Sequence, residues 1–242
     1  MAATDGLYTH RLDMAFDPVR QLQLSLWRAG HVLNEQTFET TRLEGKDDVE
    51  VDRLYERGRK RVANLAVRIE STTGCTLESR RVLDFGCGVG RIALALADRC
   101  EHVYGLDVSP AVLRAADRAA KHLNLTNVEW LDASCADELA GSYDMLVSFY
   151  VFQHIPSREG ERIFAKLVQG LRPGGVAAVH FTIRPSRPRL EKSYPYMVMN
   201  SYSLNRLGRL LAMNGVFETH VRWSNRRGPD SYEEATLVFR KD

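Results

Sequence analysis

The sequence predicts an α/β fold: a doubly wound, mostly parallel seven-stranded sheet with an antiparallel last strand and an N-terminal helical extension. Three observations predict it. From Arg80 onward, short apolar runs alternate with segments of helical periodicity, the pattern of a parallel sheet covered on both faces. One run, Val82-Leu83-Asp84-Phe85, passes into glycines at alternate positions (Gly86, Gly88, Gly90) and then into the helix formers Ile92-Ala93-Leu94-Ala95-Leu96-Ala97. Residues 1–78 carry helical patterns and no sheet of their own, which divides the chain into a helical extension or cap (1–78) and a sheet domain (79–242).

The extension opens with about sixteen polar residues lacking periodicity. Asp17-Pro18 reads as N-cap and first helical residue, and Val19, Leu22, Leu26 and Trp27 follow at helical spacing until Gly30. A second helix is expected from Asp47 to Ile69, with Val51, Leu54, Tyr55, Val62, Leu65, Ala66 and Ile69 on one face. Its opposite face carries Asp52, Arg53, Glu56, Arg57, Arg59, Lys60 and Arg61, a charge run that reads as a solvated face. Ser71-Thr72-Thr73-Gly74 marks its stop. Apolar faces with no sheet of their own must pack on the segment that follows.

In the sheet domain, Val82–Phe85 is the first strand and Gly90–Arg99 its helix. His102–Asp107 is the second strand, and Ser109-Pro110 caps a helix from Ala111 to Leu123. Val128–Leu131 is the third strand and Asp144–Phe149 the fourth. Pro156-Ser157 opens a helix with Ile163, Phe164, Leu167, Val168 and Leu171 on one face. Arg172-Pro173-Gly174-Gly175 turns into the fifth strand, Val176–Ile183. After an irregular proline-bearing piece, Ser203 caps a helix to Asn214, and Val216–Trp223 and Ala235–Arg240 close the chain as an antiparallel pair.

Strand, glycine turn and helix together begin a Rossmann-like nucleotide-binding unit. The dinucleotide fingerprint G-x-G-x-x-G would place its third glycine at Arg91, which disfavours a nicotinamide cofactor. The segment Asp84-Phe85-Gly86-Cys87-Gly88-Val89-Gly90, with an acid ahead of glycines at alternate positions, resembles motif I of the class I S-adenosylmethionine-dependent methyltransferases. Ser148-Phe149-Tyr150-Val151-Phe152-Gln153-His154-Ile155-Pro156 is similar to the segment after strand four in the small-molecule members. Leu171-Arg172-Pro173-Gly174-Gly175 is similar to their Leu-Lys/Arg-Pro-Gly-Gly turn. The resemblance covers residues 81 to about 183. It implies S-adenosyl-L-methionine as cofactor, S-adenosyl-L-homocysteine as product, and transfer of the sulfonium methyl to a small-molecule acceptor by in-line displacement. Methylation of RNA or protein, or cofactor binding without methylation, are the alternative readings.

In an open α/β sheet, ligands sit beyond the carboxyl ends of the strands at the topological switch point. Asp107 ends the second strand, where a carboxylate beside the glycine turn can accept both hydroxyls of a ribose or act as a strand-end cap. Asp132 and Ala133 stand one strand further out. In the resembling family this position holds adenine, and its other reading is a turn acid. With Val108, Cys87, Ser148 and Phe149, these residues complete the expected cofactor site around Asp84, Gly86, Gly88 and Gly90. His154 is the candidate general base, because an imidazole titrates near neutrality; its other reading is a structural residue beside a helix N-terminus. His180 reads as a packed core histidine. Trp27, His31 and Tyr55 read as core packing or as a pocket lining. Arg184, Arg187, Arg189 and Lys192, with Tyr194 and Tyr196, form a candidate lid. Arg222-Trp223 and Arg226-Arg227 make a second basic-aromatic cluster.

Composition narrows the partners. A net charge of +2 is too small to suggest a nucleic-acid or membrane surface. The Asn/Asp-Pro-Pro-aromatic motif of N-methylating relatives and a Pro-Cys nucleophile are both missing, which with the small net charge argues against DNA; RNA, weakly favoured by the basic clusters, is not the expected partner. No apolar run reaches a membrane-spanning length, and no signal pattern opens the chain. The four cysteines, Cys75, Cys87, Cys100 and Cys135, lack metal or CxxC spacing and read as reduced thiols of a cytoplasmic protein. No metal is expected: strand four ends in Ser148-Phe149-Tyr150, without the carboxylates that metal-dependent relatives place there. The oligomeric state is left open.

Overall fold

A computed structural model describes residues 48–78, 80–183, 200–225 and 233–242. The expected helix after Asp17-Pro18, with Trp27 and His31, and the segment with Arg184, Arg187, Arg189, Lys192, Tyr194 and Tyr196 lie outside the described residues, as do Arg226 and Arg227.

Helix α1 (Asp48–Thr73) buries Leu54, Gly58, Val62, Leu65 and Ile69, one face of the predicted stripe. Tyr55 is partly buried and packs against this core. The helix runs four residues past its expected end at Ile69. Thr73 continues it by donating its hydroxyl back to the Ile69 carbonyl at 2.7 Å. The stop comes at Gly74, whose φ of +69° is left-handed.

The sheet domain follows as β1 (Arg81–Phe85), α2 (Arg91–Ala97), β2 (His102–Asp107), α3 (Pro110–His122), β3 (Val128–Asp132) and a 3-10 turn (Ala133–Asp137). Then come β4 (Tyr143–Ser148), a second 3-10 turn (Phe152–His154), α4 (Ser157–Gly170), β5 (Leu171–Ile183), α5 (Leu204–Met213), β6 (Thr219–Asn225) and β7 (Glu233–Arg240). The seven strands lie in the order β3-β2-β1-β4-β5-β7-β6. All pairs from β3 to β5 are parallel, and β7 runs antiparallel to both β5 and β6. The chain leaves β1 toward β2 and β3, then returns to lay β4 on the other side. The carboxyl ends of β1 and β4 therefore flank the switch point, where a crevice opens.

Two strand starts differ from expectation by three residues or more. β5 begins at Leu171 because Leu171 already pairs with Tyr143; Arg172-Pro173-Gly174-Gly175 is then absorbed by a register shift rather than forming a separate turn. β6 begins at Thr219 because Val216 is buried instead, its N–H bonded to the Leu211 carbonyl at the end of α5.

The sheet has a core on each face. One gathers Phe152, Phe164, Phe181, Tyr202 and Phe239 under α4 and α5; the other gathers Val62, Leu65, Ile69, Val176 and Ala178 under α1 and α2. Gly58 allows the second packing, since a Cβ there would stand 2.0 Å from the Arg91 carbonyl oxygen. In the first, the buried Tyr202 hydroxyl lies 2.8 Å from the Phe152 carbonyl and 2.7 Å from that of Ile155, clamping the turn that carries His154. Tyr202→Phe strands these carbonyls, so thermal unfolding should show a loss of about 1–3 kcal/mol. An unchanged melting temperature would mean that the clamp contributes nothing.

Candidate functional site

The glycine turn is pinned where β1 ends: Gly86 and Cys87 both donate their N–H groups to the Leu106 carbonyl, at 2.7 and 2.9 Å. Gly86, Gly88 and Gly90 have φ of +74°, +56° and +82°. A Cβ on Gly86 would stand 2.2 Å from Val151, and one on Gly90 2.7 Å from Trp130. Gly88 faces open space, with nothing within 4 Å of a Cβ built there. The turn thus packs tightly at both ends and is bare in the middle, where a ligand can approach backbone.

Two carboxylates lie at this turn. Asp84 is buried, and burial pushes its carboxyl up to about 7; the nearby Asp107 charge adds to the rise, while the Ala93 N–H and Arg91 oppose it. Its Oδ2 has no hydrogen-bond partner. Asp107 accepts from the Gly88 N–H at 3.0 Å and the Ser109 N–H at 2.9 Å. Burial raises its carboxyl, and N–H groups of Ser109, Gly88 and Val108 pull the other way. Cys87 is buried between these acids, and desolvation foremost keeps its thiol protonated.

Asp132 pairs in register with Asp107 on the neighbouring strand. It is exposed, and its Oδ1 accepts from the Ser134 N–H at 2.9 Å and hydroxyl at 2.6 Å, capping the turn that Ala133 opens. Ser148 is fully buried and donates its hydroxyl to the Phe85 carbonyl at 2.9 Å, tying β4 to β1 at the crevice. The next residues, Phe149 and Tyr150, turn outward; Tyr150 has φ of +63°, uncommon for an aromatic residue. His154 closes the second 3-10 turn with Gln153 Nε2 3.2 Å from its Nε2. Burial pushes its imidazole down to about 4.

Beyond β4 the structure shows a cleft of about 250 Å³. Arg61, Leu65 and Arg68 of α1 form one wall, and Phe149 and Tyr150 another. His180 and Thr236 supply its floor from β5 and β7, with Arg222 from β6 at its edge. His154 is not among its lining residues; the histidine there is His180. His180 is buried, as the sequence reading has it, but on the same sheet face as Val176 and Ala178, beneath α1. Strand alternation counted from Val176 carries that signal. Arg61 also departs from a purely solvated role: its guanidinium lies 5.2 Å from the Phe149 ring centroid and 5.0 Å from that of Tyr150. Among the described residues, no group of three or more His, Cys, Asp and Glu side chains is placed to hold a metal ion. No described helix is long and apolar enough to cross a membrane.

Comparison with known proteins agrees with this architecture. Residues 82–175 match the family model described as a methyltransferase domain. The ubiquinone biosynthesis O-methyltransferase of Acinetobacter baylyi is 31% identical over 135 residues, which are 54% of this chain and 53% of that protein. The trans-aconitate 2-methyltransferase of Deinococcus radiodurans is 41% identical over 101 residues, 41% of this chain and 36% of that protein. The matched part thus spans about half or less of these curated relatives' length. In fold, the chain resembles the magnesium protoporphyrin IX methyltransferase of Synechocystis PCC 6803 with bound SAH. The TM-score is 0.65 at 18% identity, covering 92% of this chain and 100% of that one. Glycine turn, switch point, strand order and matched segment coincide on a methyltransferase domain over residues 82–175.

Proposed function

We propose that this protein transfers a methyl group from S-adenosyl-L-methionine to a small-molecule acceptor by in-line displacement, without a metal. One observation carries the cofactor reading: a buried carboxylate, Asp84, whose Oδ2 lacks a hydrogen-bond partner, lies under a glycine turn that is bare at Gly88. A cationic amino group, such as that of the cofactor's methionine portion, would satisfy and ionise that carboxylate. Gly86, Cys87, Gly88 and Gly90 offer close backbone approach. Asp107 retains lone pairs for ribose hydroxyls beyond the two N–H groups it already accepts. Val108, Asp132 and Ala133 bound the adenine end, and Ser148 and Phe149 the methyl end. When bound, the cofactor supplies a methyl group already activated on sulfonium, so the protein's part is to align the acceptor and receive a proton. His154 is the proposed base. A near-neutral net charge favours a small acceptor over nucleic acid, and free cysteines suit a reducing compartment such as the cytoplasm.

Calorimetry with S-adenosylmethionine, S-adenosylhomocysteine and NAD tests the reading. The first two should bind and NAD should not; tight NAD binding alone would sink it. Asp107→Ala should weaken cofactor binding by roughly 1.5–3 kcal/mol, the scale of hydrogen bonds to a charged group. Unchanged affinity would remove Asp107 from the site.

A further inference from the structure

The cleft beyond β4 differs in chemistry from the crevice at the glycine turn. Arg61, Arg68 and Arg222 converge on it from two separate elements, and none forms an ion pair with a described residue. Like charges gathered around one cavity repel each other unless an anion lies among them. Arg68 shows the effect: burial first, then the Arg222 and Arg61 charges, hold its guanidinium below the ordinary arginine range. The acid nearest His180, Glu234, does not line the cleft and has other contacts; its Oε2 accepts from Ser224 at 3.2 Å and stands 3.6 Å from His180 Nε2. His180 is 3% exposed, and neither ring nitrogen has a hydrogen-bond partner. A buried imidazole in that condition is costly and requires a reason.

We infer that this cleft receives the methyl acceptor of the reaction proposed above through an anionic group, a carboxylate or a phosphate, which Arg61, Arg68 and Arg222 grip and to which His180 adds a hydrogen bond. Guanidinium forks match the paired oxygens of both anions. Cation–π contact with Phe149 and Tyr150 holds the Arg61 guanidinium at the cleft wall. The left-handed turn at Tyr150 lays its ring against His180 at 4.4 Å between centroids, giving the anion site an aromatic wall. Phe149 follows directly on Ser148, which binds β4 to β1. The cleft therefore begins where the proposed cofactor crevice ends.

Calorimetry with benzoate, phenyl phosphate and benzamide, each with and without S-adenosylhomocysteine, tests this. At least one anion should bind saturably and about tenfold or more tighter than neutral benzamide, weakening as salt is raised. The preferred anion distinguishes a carboxylate acceptor from a phosphate one. Arg68→Gln and Arg222→Gln should each weaken anion binding roughly fivefold or more without changing S-adenosylhomocysteine affinity. Arg222 is exposed, so its variant remains informative even if Arg68→Gln unfolds. Equal binding of all three probes, no anion binding, or undiminished anion binding in Arg222→Gln overturns the inference. Anion binding by a protein that ignores S-adenosylhomocysteine would instead overturn the methyl-transfer reading and leave the cleft an anion site.

Discussion

His154→Ala should lower kcat by ~10²–10⁴ with cofactor affinity nearly unchanged, the loss expected when a general base is removed. Burial holds this imidazole down to about 4, so it is uncharged throughout the neutral range. That makes it a weak base, but it is asked for little. An acceptor hydroxyl or amine becomes strongly acidic as it gains the methyl group, and a neutral nitrogen within reach suffices to take the proton. The sequence alone suggests a rate limb near the ordinary histidine value; the buried environment moves the limb to about pH 4. A profile flat from about pH 5.5 to 8 is therefore compatible with His154 as base, and the discriminating region lies below it. The measurement is kcat at saturating acceptor, with calorimetric cofactor affinity and a melting curve alongside. Unchanged kcat, or activity lost only in step with melting temperature, would return His154 to a structural role. His180→Ala is the companion variant, and a raised KM at preserved kcat would assign His180 to acceptor binding alone.

Asp84→Asn should make the ligand-free protein more stable at about pH 8, by ~4 kcal/mol at most, while weakening cofactor binding. The sign follows from where the proton sits. An unfolded Asp ionises near 3.8, whereas folded Asp84 holds its proton up to about 7. The folded state thus binds more protons between these values, and its stability falls as pH rises through that window. His154 acts oppositely. It binds a proton near 6.5 when unfolded and only near 4 when folded, so stability falls as pH drops from 6.5 toward 4. The two contributions largely cancel in the wild type over the overlap. Each single variant should expose the other's slope: Asp84→Asn loses stability on acidification, and His154→Ala loses it on alkalinisation. Denaturant titrations across pH read both. Cofactor binding near pH 6.5 should also release a proton as Asp84 ionises against the incoming cation, making the calorimetric enthalpy depend on buffer. Equal stability of Asp84→Asn and wild type at pH 8, with equal cofactor affinity, would remove the buried charge from the account.

Most of the architecture was legible because its signals are local. The glycines at 86, 88 and 90 are demanded by left-handed backbone a few residues long. Ser109-Pro110 opens α3 as its residue types require, and alternating strand and helix patterns impose a parallel sheet. Boundaries were missed where a long-range partner intervened. The Leu171–Tyr143 pairing extended β5, and burial of Val216 shortened β6.

The sequence by itself determined the alternation of strands and helices, the glycine turn and the placing of Asp84, Asp107 and Asp132 on three successive strands, because periodicity and turn chemistry are written along the chain. Only the tertiary structure decided the charge states and the cleft. Whether Asp84 and His154 are ionised depends on desolvation by residues distant in sequence. Arg61 and Arg68 read as one helix's surface until α1 lies across the sheet face bearing His180 and meets Arg222 from β6. A hydrophobic pattern states which face of an element is buried; which polar side chains that burial brings together is set by packing between elements, and no local pattern encodes it.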